Sequence, residues 1–209
     1  MLLEEYPKLT IIMRGQTLQQ IDTVIQAIIS KHQKNVAIEI TLNTKNAFAI
    51  IETLTDKYGD LIPIGAGTVQ TLAEAKKAIA CGAKFLLGPK KFTEEMIAYA
   101  QEHSVLSIPG AMSPQEIADM VELGADIVKV FPAAVVAPRF FKDVQAPLGE
   151  LQLMAVGGVN LTNIPEFFAN GAKYVGLGSG MFSQADLVQQ NLENLILTLD
   201  STINLIKSI

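Results

Sequence analysis

One phrase recurs three times along this chain and limits what it can fold into. Gly82-Ala-Lys-Phe-Leu-Leu-Gly, Gly124-Ala-Asp-Ile-Val-Lys-Val and Gly171-Ala-Lys-Tyr-Val-Gly-Leu each follow a segment whose apolar residues have helical spacing. In each, the glycine stops the helix, the alanine packs closely, and an apolar strand begins. The recurrences lie roughly 40–50 residues apart, about the length of two βα units. Strands that alternate with helices in this way form a parallel sheet covered by its crossovers.

The elements between the phrases agree. Leu9 to Met13 reads as a first strand, and Thr17 to Ile29 as an amphipathic helix. Asn35 to Leu42 is a second strand, with Val36, Ile38, Ile40 and Leu42 on one face and Ala37, Glu39 and Thr41 on the other. Lys45 to Tyr58 reads as helix, Leu61 to Ala66 as strand, and Leu72 to Ala80 as helix. Further strands are expected at Val105 to Ile108 and Leu151 to Val156, with helices at Pro114 to Leu123 and Asn163 to Ala169. The segment Gln184 to Ile206 reads as one long C-terminal helix. About eight strands result, each followed by a helix or helix-like segment, which is the pattern of a (β/α)8 TIM barrel. A doubly wound sheet is the alternative. Gly65-Ala-Gly67 meets only half of its dinucleotide turn, because Gln70 stands where the third glycine belongs. No linker or low-complexity run divides the chain, so residues 1–209 are expected to form a single barrel domain.

Composition closes several routes. A net charge of −5 with no basic stripe argues against nucleic acid as a partner. No apolar stretch approaches the roughly 20 residues that span a bilayer, and Met1 to Pro7 does not look like a signal peptide. A cytoplasmic protein with no membrane partner is expected. The lone Cys81 excludes an internal disulfide and reads as a small buried helix residue. His32 and His103 sit in polar helix-end segments and read as solvated. No cluster of metal ligands falls at strand ends, so no metal is expected.

Active-site groups of a barrel sit at the C-terminal ends of its strands. Glu39 and Lys129 are the only charged residues expected within strands. Lys129 shares a face with Ile127 and Phe131, opposite Val128 and Val130, so it and Glu39 both point into the barrel. A lysine in such a strand is costly unless it is paired or neutral. One reading is a structural ion pair, or an ammonium that reaches water. The other is a neutral amine that attacks a carbonyl to form a Schiff base, with Glu39 moving protons. Arg14, Thr68, Pro89 and Phe131 also fall at or just beyond strand ends. Ala155-Val-Gly-Gly158 ends strand seven and Gly176-Leu-Gly-Ser-Gly180 ends strand eight, where barrels of this kind bind phosphate on bare backbone N–H groups. Gly157, Gly158, Gly178 and Ser179 are the phosphate candidates, with tight turns as the plainer explanation.

In combination, Ile38-Glu-Ile-Thr-Leu, Gly65-Ala-Gly-Thr-Val, Ile108-Pro-Gly, Val128-Lys-Val-Phe-Pro, Gly157-Gly-Val and Gly178-Ser closely resemble the 2-keto-3-deoxy-6-phosphogluconate (KDPG) aldolase family. That family includes the phosphogalactonate and 4-hydroxy-2-oxoglutarate aldolases, and the resemblance runs in register from Arg14 to about Phe182. It implies a class I, cofactor-free and metal-free lyase that forms pyruvate from a phosphorylated 2-keto-3-deoxy acid, commonly as a homotrimer. It also implies Lys129 as the Schiff-base lysine, Glu39 as general acid/base, Thr68 as a contact of the pyruvate carboxylate, and Gly157, Gly158 and Ser179 in the phosphate loops. Pro89, Phe131 and Gly178 complete the expected substrate-binding set. Two positions depart from the KDPG-specific pattern. Asn43 stands where many members carry an arginine, a cation that Arg14 would replace, and Val156 stands where a threonine precedes the two glycines. Both departures resemble the phosphogalactonate branch and leave the C4 epimer open. A non-catalytic sugar-phosphate-binding barrel and a metal-dependent epimerase are the competing functions. The first has no need of Lys129 and Glu39, and the second lacks its ligands.

Overall fold

The computed structural model describes residues 1–209; the side chains of Gln33 and Ser179 lie outside the description. Its strands are β1 (Leu9–Met13), β2 (Val36–Thr41), β3 (Ile64–Gly67), β4 (Phe85–Leu87), β5 (Leu106–Ile108), β6 (Gly110–Ala111), β7 (Val128–Val130), β8 (Leu153–Val156) and β9 (Tyr174–Gly178). All pairings are parallel, in the order β5-β4-β3-β2-β1-β9-β8-β7-β6. The two edges, β5 and β6, follow each other in sequence on either side of Pro109, so the sheet closes on itself. Proline has no N–H for the ladder, and the fifth barrel strand is broken there. The expected strand at Val105 to Ile108 is therefore only the first half of that strand. The barrel has eight strand positions, with β7, β8 and β9 as the sixth, seventh and eighth.

The helices are α1 (Leu18–Lys31), α2 (Ala47–Tyr58), α3 (Leu72–Ala80), α4 (Glu94–Glu102), α5 (Pro114–Glu122), α6 (Ala133–Val136), α7 (Arg139–Leu148), α8 (Ile164–Ala169), α9 (Gln184–Gln189) and α10 (Leu192–Lys207). Their starts are written locally. Thr17, Thr71 and Ser113 each accept a hydrogen bond from the N3 amide of α1, α3 and α5, and Gln20, Glu74 and Glu116 complete the capping boxes. Helix α1 buries Ile21, Val24, Ile25 and Ile28 at i, i+3, i+4 and i+7. The outer layer thus formed packs on Val36, Ile38, Ile40, Val128 and Val130, the outward faces of β2 and β7.

A second, smaller cluster fills the lumen. It contains Ile12, Ala37, Phe85, Ile127, Met154 and Val156, with Tyr6 edge-on to Phe85 and Tyr174 near the N-terminal end. The two clusters divide β2 and β7 by alternation as expected.

Three expectations are corrected. The C-terminal segment is two helices, because Gln190 adopts a left-handed φ of 53° and Asn191 caps a new start. The apolar spacing continues across this corner, which hides it in the sequence. His32 is buried, with Nε2 2.6 Å from Asp200 Oδ1, and so joins the end of α1 to α10. A carboxylate from 168 positions away removes it from water. Cys81 is half-buried, at the C-cap of α3 and not within the helix.

Candidate active site

Glu39 and Lys129 face one another across the lumen. β2 and β7 are four steps apart around the eight-position barrel in either direction, so inward side chains from the two meet at the axis. Both are buried, at 2% and 5% exposure. They form no ion pair: no salt bridge or hydrogen bond joins them, and Glu39 Oε2 is buried without a partner. The structural-pair reading is therefore not what the geometry displays. The amine of Lys129 lies 5.0 Å from the Phe131 ring centroid, on the same wall.

Burial acts on the two groups in opposite directions. It pushes the Glu39 carboxyl up to about 7, against the pull of the Lys129 and Arg14 charges. It lowers the Lys129 amine; Glu39 opposes this shift and Arg14 adds to it. A carboxyl near neutrality can give and take a proton at working pH, and a depressed lysine offers its lone pair.

The glycines of β3 explain how a carboxylate fits inside the barrel. On Gly65 a Cβ would fall on the ring of Phe85, and on Gly67 it would fall on the carboxylate of Glu39. The inner face of β3 carries no side chains, and β2 and β4 fill the space. In register, Glu39 pairs with Gly65 and Thr41 with Gly67, so the Glu39 side chain leans one inward position toward the C-terminal mouth. This role of Gly65-Ala-Gly67 escapes sequence reading, where the pair looks like a partial nucleotide turn. Its only signal is two glycines at i and i+2 beside a strand with an inward acid.

Arg14 leaves the end of β1 exposed, with Nη1 3.1 Å from Asn43 Oδ1. The asparagine at the place of the family's loop arginine thus holds the arginine that could replace it. Thr68 follows β3 half-buried at a left-handed φ of 59°, and its hydroxyl has no hydrogen-bond partner among the described residues. An unstrained threonine avoids that conformation, and residues so held gather at functional sites. Pro89 is half-buried in the loop after β4, against Gly110.

A cavity of about 320 Å³ opens beside Phe131, between Arg14, Val156, Gly157, Gly158 and Gly178. Gly157 and Gly158 have φ of 91° and 76°, and a Cβ on Gly158 would strike the Ala134 methyl. Side chains are excluded there, so backbone faces the space. The Asn163 amide donates to Gly158 O at 2.9 Å and fixes the loop. Nothing lies within 4 Å of where a Cβ would sit on Gly178 or Gly180. Ser179 lies between them, its side chain outside the described residues. A larger cavity, about 600 Å³, lies at the opposite end of the barrel among exposed Glu4, Lys34, Asp60 and Lys84. It holds no buried ionisable group, whereas Glu39 and Lys129 are both buried inside the barrel. Among the described residues no group of three or more His, Cys, Asp or Glu is arranged to hold a metal. Among the described residues no helix is long and apolar enough to cross a membrane.

Fold and site together define a class: a closed (β/α)8 barrel with a buried lysine and a buried carboxyl facing one another at its mouth. Comparison with known proteins narrows it. The sequence model of the KDPG and KHG aldolases matches residues 3–198. A Rhizobium meliloti protein named "Probable 2-dehydro-3-deoxy-6-phosphogalactonate aldolase" is 33% identical over 172 residues, covering 82% of this chain and 80% of its own. The 2-dehydro-3-deoxy-phosphogluconate aldolase of Treponema pallidum is 32% identical over 167 residues, covering 74% and 79%. Among solved structures, one titled "Native KDPGal structure" superposes with a TM-score of 0.83 at 26% identity, covering 95% and 96%. The chain belongs to the KDPG and KHG aldolase family, a family of carbon–carbon lyases.

Proposed function

We propose that this protein cleaves a 2-keto-3-deoxy-6-phospho sugar acid to pyruvate and glyceraldehyde 3-phosphate through a Schiff base on Lys129. The observation that carries the reading is the unpaired state of Lys129 and Glu39. Two opposite charges facing each other in a lumen, both pushed toward neutrality by burial and not joined, are poor structural cement. They suit proton transfer to a molecule placed between them.

Lys129 Nζ attacks the C2 ketone, and Glu39 protonates the departing hydroxyl, so water leaves and a protonated imine forms. Glu39, now a carboxylate, takes the C4 hydroxyl proton, directly or through a water. The C3–C4 electron pair moves into the imine, and glyceraldehyde 3-phosphate departs. The enamine takes a proton at C3 from Glu39, and water hydrolyses the imine to pyruvate and free Lys129. Arg14 and Thr68 hold the substrate carboxylate, and Pro89 and Phe131 close the walls about the pyruvyl carbons. The phosphate lies against the backbone of Gly157, Gly158, Gly178 and Ser179, in the cavity that Arg14 borders. Val156 lines that same cavity beside the sugar chain and presents methyls where a hydroxyl donor could select one C4 epimer. Relatives named for the gluconate series and for the galactonate series are similarly close, which supports the shared chemistry and not one epimer. By resemblance the working form is a cytoplasmic homotrimer.

Borohydride reduction in the presence of pyruvate, followed by peptide mass mapping, tests the reading. A reduced pyruvyl adduct is expected on Lys129. No adduct, or an adduct on another lysine, refutes it. Side-by-side assays with both C4 epimers and with 4-hydroxy-2-oxoglutarate then assign the substrate.

A further inference from the structure

We infer that Gly67 is a positioning residue for the proton-transfer step: its missing side chain is the seat of the Glu39 carboxylate. The inference rests on the aldolase reading above and assigns a task to a residue outside the substrate-binding set named there. Three observations support it. A Cβ on Gly67 would overlap not only Glu39 Oε1 but also Cδ and Cγ behind it. Swinging the carboxylate about its last bond would therefore not clear the clash, and the whole side chain would have to move. Gly67 does not have a positive φ, so an alanine there meets no backbone strain and acts only through what it touches. Glu39 Oε2 is buried without a partner, and among the described residues no hydrogen bond reaches the carboxylate, so its position depends on packing into the space that Gly67 leaves empty. The neighbouring Gly65 is different in kind, since its space is taken by Phe85, an apolar wall of the lumen.

In an aldolase of this type, the group that protonates the enamine also exchanges the methyl protons of bound pyruvate with solvent. Exchange of pyruvate C3 protons in D2O, followed by NMR, therefore reads proton transfer by Glu39 on the imine that Lys129 has formed, while the end-point yield of borohydride trapping reads whether that imine forms at all. Gly67→Ala is expected to keep the Lys129 adduct and to slow exchange by about 100-fold or more, toward the rate of Glu39→Gln, within the usual range for general acid/base help. Placed on the Glu39→Gln background, Gly67→Ala should cost less than about threefold further, because its effect runs through the carboxylate. Glu39→Asp withdraws the carboxylate by one methylene from the Gly67 seat, so adding Gly67→Ala to it should likewise cost little.

Wild-type exchange in Gly67→Ala overturns the inference and leaves the aldolase reading standing. An equal loss from Gly67→Ala on the wild-type and Glu39→Gln backgrounds also overturns it, since a general distortion of β3 would act that way. If Gly67→Ala does not fold, Glu39→Asp/Gly67→Ala should fold; failure of both refutes the proposed cause. Absence of the adduct in the wild-type protein is the separate result that removes the aldolase reading.

Discussion

Replacing Glu39 by glutamine should make this protein slower and more stable, with a stability gain that depends on pH. The Glu39 carboxyl ionises near 4.5 in an unfolded chain and at about 7 in the folded barrel, because burial withholds water from its charge. Between those two pH values the unfolded chain has released the proton and the folded chain has kept it. Folding stability therefore falls as pH rises through that window and is level above it. The total loss is about 3 kcal/mol, at about 1.4 kcal/mol for each pH unit between the two values. Glutamine has no proton to lose and avoids this fall. Removing the Glu39 charge, which opposes the fall at Lys129, depresses the amine further, which returns part of the gain. The net expectation is a gain of about 2–3 kcal/mol at pH 8 and close to none at pH 4.5. With a urea m-value of roughly 2 kcal/mol/M for a chain of this size, the midpoint should rise by about 1 M at pH 8. Urea unfolding of the two proteins, followed by circular dichroism at half-unit steps from pH 4.5 to 8.5, measures the difference curve. A curve that is flat with pH, or a variant less stable at pH 8, would refute the idea that Glu39 is held in place at a cost to folding.

Three further outcomes are expected. The pH profile of kcat/KM should bend near pH 7 in the wild-type enzyme, and that bend should vanish in Glu39→Gln; persistence of the bend would assign it to another group. Arg14→Ala should raise KM about tenfold with a smaller change in kcat, and Asn43→Ala should give a weaker effect in the same direction by freeing the guanidinium it holds at 3.1 Å; unchanged KM in both would remove Arg14 from substrate binding. Val156→Thr keeps the shape that packs against Gly176 and adds a hydroxyl donor, so the ratio of kcat/KM between the two C4 epimers should move about tenfold toward the gluconate series, the size of one modest hydrogen bond; an unmoved ratio would place epimer choice elsewhere.

Much of this protein was written in local pattern. Strand alternation depends only on the geometry of an extended chain, and it was enough to turn Glu39 and Lys129 inward and Val128 and Val130 outward. Helix starts depend on side chains three residues apart, so the capping pairs Thr17–Gln20 and Thr71–Glu74 are visible in sequence. Parallel topology followed from the repeated Gly-Ala turn. What alternation cannot supply is the identity of a neighbour across space. That β2 and β7 lie opposite one another, so that the acid and the amine face each other without pairing, follows from closure of the barrel at Pro109. Arg14 meets Asn43 across 29 positions, and His32 leaves solvent because Asp200 reaches it from the far end of the chain. Gly67 is the clearest case. Its sequence context reads as half of a dinucleotide turn, and only packing reveals that its lack of a side chain makes room for a carboxylate from the neighbouring strand. Sequence determines which face a residue takes because that is a property of a few bonds. Burial, proton affinity and mutual distance are properties of the closed barrel, and the tertiary structure decided them.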